Sequence, residues 1–67
     1  MTAAAFNAWL AEMKSAGHAK SDADCARLLG YEPKHLPRQK YSGGDKRLAL
    51  ACAALLSGLS PYDDSPA

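Results

Sequence analysis

Apolar residues recur along this chain at helical spacing, and nowhere do they alternate as a half-buried strand requires. Phe6, Trp9, Leu10 and Met13 stand at i, i+3, i+4 and i+7, a single stripe that predicts a core-facing helix from about Ala3 to Ala16. Ala16 to Lys20 is the connection, with Gly17 as the stop. Cys25, Leu28 and Leu29 repeat the spacing at i, i+3 and i+4 and predict a second, shorter helix with one apolar face. Ser21 precedes it as an N-cap, its hydroxyl placed to accept from an orphan amide. Asp24, three residues on, completes an approximate capping box and puts negative charge in the first turn, where the macrodipole favours it.

Glycines, prolines and capping residues set the later boundaries. Gly30 stands where a chain leaving a helix needs positive φ, and Ala26 is small where two helices must pass closely. Pro33 suits the first position of the next helix, where its missing N–H would have no partner in any case. Pro37 does not suit a helix interior, where it removes a hydrogen bond and clashes with the preceding turn at roughly 3 kcal/mol. The segment is therefore expected to split into a loose turn at 33–36 and a helix from 37 to about 41. Tyr41-Ser42-Gly43-Gly44 reads as a flexible turn, Asp45 as the cap of a last helix running to about Ser57, Gly58 as its end and Pro61 as a block to continuation. The predicted fold class is all-α: a compact four- to five-helix domain over residues 1–62, with a helix-turn-helix at about 21–41. Residues 63–67, Asp63-Asp64-Ser65-Pro66-Ala67, are expected to be a disordered acidic tail.

The order of parts from Ser21 to Gln39 is thus a capped helix, a glycine turn and a second short helix carrying cations. That is the order in a helix-turn-helix, whose second helix lies in the DNA major groove. Ala26-x-x-Leu29-Gly30-Tyr31 resembles the signature of the Cro/CI-type, lambda-repressor-like repressors of phages and bacteria. There an alanine, two residues, a leucine, a glycine and an apolar residue lead into the recognition helix. The resemblance covers about Ala3 to Leu59, with its specific part between Ser21 and Gln39. Two residues depart from it. Glu32 occupies the place where the family usually has a capping serine or threonine, and is expected to orient a neighbouring cation or accept from a cytosine amino group. Pro37 is the other. The resemblance implies a sequence-specific double-stranded DNA-binding regulator, a dimeric repressor on a palindromic, inverted-repeat operator. With the small size of the chain, it implies an autorepressor of phages or mobile elements, including the anti-CRISPR-associated kind, regulated by occupancy alone and needing no small-molecule ligand.

Composition and charge refine this picture. Sixty-seven residues at 48% apolar content make one domain able to build a core, near the lower size limit for folding alone. Formal net charge is only +1, which counts against an indiscriminate nucleic-acid binder. The distribution matters more: Lys34, Arg38 and Lys40 lie between Pro33 and Gly44 with His35 beside them and no acid, and Lys46 and Arg47 come soon after. Lys34, His35, Arg38 and Gln39 are the candidates for base edges, the arginine for guanine O6/N7 and the glutamine for adenine N6/N7. Lys20, Ser21, Lys40, Tyr41, Ser42, Lys46 and Arg47 are the candidates for phosphates, and the amides of Gly43-Gly44 offer a further cradle for a backbone phosphate.

The last helix, Lys46 to Leu56, is apolar nearly all round. Leu48, Ala51, Cys52 and Leu55 make one face, while Leu50, Ala53, Ala54 and Leu56 spill onto others. Alanine used for helix propensity is one explanation. The other is a self-complementary dimer patch, for which Leu56, Leu59 and Tyr62 are the candidate residues. An alternative function uses the same face: a small helical adaptor docking on a protein partner.

Catalytic chemistry finds no support, and no enzyme is expected. His18 and His35 are far apart in sequence, Cys25 and Cys52 form no C-x-x-C, and no nucleotide-loop or nucleophile-elbow segment occurs. No metal site and no cofactor are expected, and both cysteines read as buried thiols. Without a basic leader or an apolar run of about 20 residues, neither export nor a membrane span is expected, and the chain reads as cytoplasmic.

Overall fold

Thr2 begins the first helix: extended at φ −77° and ψ 162°, it accepts from the Ala5 amide at 3.1 Å through Oγ1. The computed structural model describes residues 1–59, and the elements run α1 (Ala3–Ser15), α2 (Asp22–Leu29), a 3₁₀ turn (Pro33–His35), α3 (Leu36–Ser42) and α4 (Lys46–Leu56). No strand occurs among the described residues. Tyr62 and the acidic tail lie outside them.

The stripe on α1 is the centre of the fold. Phe6, Trp9, Leu10 and Met13 are all buried, and α1 touches α2, α3 and α4. Phe6 and Trp9 stack with ring centroids 5.6 Å apart. The Trp9 Nε1–H donates to the Cys52 carbonyl at 2.9 Å, so the one polar atom of the largest side chain is satisfied inside the core. Cys25, Ala26, Leu36, Leu48 and Cys52 close the cluster from the other helices.

Helix α2 starts as its sequence dictates, with the Ser21 Oγ accepting from the Asp24 amide at 3.3 Å. The returning half of the capping box is displaced by one residue, because the Asp24 carboxylate accepts from the Lys20 amide at 3.1 Å. Gly30, at φ 84°, closes the helix, and the Tyr31 amide reaches back to the Ala26 carbonyl at 2.9 Å, a Schellman closure. The apolar face differs from expectation. Cys25 and Ala26 are fully buried and Leu29 packs on the core, whereas Leu28 is 43% exposed. Ala26 and Leu29 follow Cys25 by one and four residues and turn the buried face toward them; Leu28 then lies on its flank.

Pro37 divides the third segment, and the cut falls one residue earlier than the sequence suggests. The 3₁₀ turn ends at His35 and α3 begins at Leu36, which places Pro37 in the first turn where its missing N–H leaves no bond unmade. The glycine pair after α3 is fixed, not flexible. Gly43 has φ 71° and ψ −146°, and a Cβ there would stand 2.4 Å from the Met1 carbonyl oxygen. The Gly44 amide donates to that oxygen at 3.0 Å, and the Met1 amino group donates to the Gly44 carbonyl at 2.9 Å. The start of the chain therefore seals the turn between α3 and α4. Asp45 caps α4 by accepting from the Leu48 amide at 3.1 Å, and Leu48 and Cys52 form its inner face.

Candidate nucleic-acid interface

Helix α3 has one buried residue, Leu36, 5% exposed. At about 100° per residue, Arg38, Tyr41 and Ser42 fall on the side away from Leu36, and all three are exposed, Tyr41 at 89%. Arg38 makes no ion pair with any described residue. His35, exposed at the junction with the 3₁₀ turn, completes a shallow groove of about 450 Å³ with Tyr31, Arg38, Gln39, Ser42 and Gly43. Gln39 is half-buried at its edge, and its Oε1 has no hydrogen-bond partner. A buried amide oxygen without a donor costs free energy until one arrives. The groove thus combines a free guanidinium, an imidazole and a phenol, while the unpaired Gln39 Oε1 is buried.

The remaining candidate contacts separate by what already holds them. Lys34 pairs with Glu32 at 3.1 Å, both side chains largely exposed, a contact weak enough to exchange for another anion. Glu32 makes no side-chain capping bond, and Pro33 begins the turn instead. Lys40 is not a free cation. Its Nζ donates to the Asp22 carboxylate at 2.5 Å, and its main-chain carbonyl accepts from Asn7 Nδ2 at 2.9 Å. Arg47 is held by Asp45 through Nε at 2.9 Å and Nη2 at 2.8 Å, while its side chain stays 92% exposed. Lys20 and Lys46 are exposed and make no ion pair with a described residue. The Ser21 hydroxyl is engaged as an acceptor and keeps its proton to donate. The expected phosphate cradle at Gly43-Gly44 is ruled out, because the Gly43 amide donates to the Gln39 carbonyl at 2.8 Å and the Gly44 amide to Met1.

Of the candidate dimer residues, Leu56 is half-buried against the core and Leu59 is 61% exposed. Tyr62 lies outside the described residues. Leu50, 63% exposed on α4, is the other large apolar side chain left open there.

Electrostatics tie these groups together. Asp22 is ion-paired with Lys14 at 2.7 Å and also accepts from Lys40, and Lys14 and then Lys40 hold its carboxyl below the usual carboxylate range. Arg47 and the Leu48 amide do the same for Asp45. Burial pushes the Cys52 thiol up to about 11 and raises that of Cys25, as expected of inert core thiols. Among the described residues, no three His, Cys, Asp or Glu side chains are grouped to hold a metal ion, and no helix is long and apolar enough to cross a membrane.

Sequence reasoning misses two participants and names a third in another role. Tyr31, in the sequence only a member of the turn motif, lines the groove. Tyr41, expected at a phosphate, shares the outward face with Arg38. Asp22, one acid among several, holds two lysines from other helices. The i, i+3 relation of Arg38 and Tyr41 is a usable signal for Tyr41; nothing in the sequence marks Asp22. Compared with known proteins, the chain matches no protein-family model, no curated protein and no solved structure.

Proposed function

We propose that this protein is a sequence-specific double-stranded DNA-binding transcriptional regulator, reading the major groove through the outer side of α3. The observation that carries the reading is the contrast between Arg38 and its neighbours. Arg27 and Arg47, the other two arginines, and Lys14, Lys34 and Lys40 each pair with an acid of this chain, and only Lys20 and Lys46 share the unpaired state of Arg38 among the described residues. Arg38 stands uncommitted on the outer side of a helix that follows a capped helix and a glycine turn. A guanidinium so placed fits guanine O6 and N7, and Gln39 beside it is the proposed amide partner of adenine N6 and N7, for which its side chain must turn outward from the buried position of its Oε1. His35 and Lys34 flank them, and Tyr41 joins the base-facing set. Lys20, Ser21, Ser42 and Lys46 are the proposed phosphate contacts, with Arg47 joining once a phosphate displaces Asp45; these set register without reading sequence. Leu59 is the proposed contact of a two-fold dimer on an inverted repeat, the arrangement by which such a regulator acts as a repressor.

Selection of bound sequences from random duplexes, followed by gel shift, tests the proposal. An enriched inverted repeat is the expected result. A folded protein that enriches nothing overturns it. The exposed Leu50 and Leu59 favour one other reading, a helical adaptor docking on a protein through α4, and that second outcome would point to it.

A further inference from the structure

Helix α3 has little of its own to hold it in place. It is seven residues long, begins with a proline in its first turn, has no side-chain N-cap and buries one side chain. A helix that short is unstable without tertiary support, and here much of the support is polar. The Lys40 carbonyl is tied to Asn7 of α1, and the Lys40 ammonium is tied to Asp22 at the first position of α2. Asp22 is itself tied to Lys14 of α1. One carboxylate, 29% exposed, thereby joins three helices and neutralises a lysine on the helix that carries Arg38.

We infer that Asp22 is the positioning residue of the reading helix: by holding Lys40 it sets the rotation of α3, and with it the aim of Arg38 and Gln39. The inference rests on the DNA reading above for its consequence, though not for its geometry. Lys40 is then a strut. Its charge is directed inward, so its removal disturbs discrimination between sequences more than attraction to phosphate. Asp22→Asn frees two lysines and adds one positive charge, which by electrostatics alone strengthens binding to every duplex. Loss of positioning acts in the opposite direction and only on the preferred sequence.

Two measurements on the full chain separate these effects: affinity for the selected repeat and for a random duplex at one salt concentration, and hydrogen exchange of the α3 amides. Asp22→Asn is expected to lower the ratio of specific to non-specific affinity about tenfold, a coupling typical of partners in one ion-pair network. Exchange in α3 is expected to quicken while the α1 core amides stay protected. Lys40→Met, which leaves the Asp22–Lys14 pair intact, is expected to lower the ratio in the same way, and it serves if Asp22→Asn does not fold. If Asp22→Asn raises both affinities together with α3 exchange unchanged, or Lys40→Met lowers both equally, Asp22 is a bystander and the inference fails. If the wild-type protein prefers no duplex, the DNA reading fails, and unchanged or quickened α3 exchange still decides the role of Asp22.

Discussion

Alanine at Gly43 would place a methyl group 2.4 Å from the Met1 carbonyl oxygen, 2.7 Å from the Thr2 carbonyl carbon and 2.8 Å from the Ala3 nitrogen. None of these is the far end of a flexible side chain, so the first two residues must move off the turn. The backbone at φ 71° and ψ −146° is open essentially to glycine alone, and holding another residue there costs about 1–3 kcal/mol. Displacing Met1 also breaks the paired bonds with Gly44, worth about 0.5–1.5 kcal/mol each. Together these give a loss of roughly 2–6 kcal/mol, against a total stability of roughly 3–10 kcal/mol for a chain of this length. Gly30 supplies the control. Its φ of 84° is also positive, but a Cβ there meets nothing within 4 Å, so Gly30→Ala costs only the left-handed strain of about 1–2 kcal/mol. Urea unfolding monitored by tryptophan fluorescence measures both, provided the m-values match the wild type. If Gly43→Ala is no more destabilising than Gly30→Ala, the docking of the chain start on this turn is wrong.

Trp9→Ala removes a 4% exposed side chain together with its bond to Cys52; a loss of about 3–5 kcal/mol is expected, and a variant with cooperative, near-wild-type thermal unfolding would contradict the core described. Asp22 titrates below its ordinary value of 3.8 when folded, so its contribution is fully present above that pH and is lost as pH falls through the lower folded value. Urea midpoints should therefore hold steady near neutrality and drop in acid, and Asp22→Asn should show a shallower drop; equal acid slopes would remove the ion pairs from the account. Cys25 and Cys52 are buried, and the Cys52 thiol is pushed up to about 11, so at about pH 8 an aromatic disulfide reagent should label both only as fast as the protein opens. Rapid labelling of either thiol in native protein would contradict this.

Much of the fold was legible because its signals are local. The α1 stripe, the Ser21 and Asp45 caps and the Gly30 stop each depend on residues within one or two turns, and each sits where the pattern places it. Pro37 was legible for the same reason, since a proline constrains its own backbone and its neighbour's. Leu28 was not: in an eight-residue helix two apolar faces fit the spacing, and only the packing of α2 against the rest of the chain chooses between them. Gly43-Gly44 misleads because glycine pairs usually mark freedom, whereas here close approach of Met1 and Leu48 demands the missing Cβ. The interface divides along the same line. Exposure of Arg38 and Tyr41 follows from helical spacing around Leu36. The capture of Lys40 by Asp22, 18 residues away, depends on how α2 and α3 pack and leaves no trace in either segment.

The most direct test of α3 as the reading element is a panel of single-base variants of the selected repeat, titrated with wild-type protein, Arg38→Ala and Lys46→Ala. Arg38→Ala should lose about 1–3 kcal/mol on the preferred sequence and cease to discriminate at one base pair of each half-site. Lys46→Ala should weaken every sequence alike and flatten the salt slope by about one. Uniform weakening by both substitutions, with the base preference of Arg38→Ala intact, would contradict the placement of α3 in the groove.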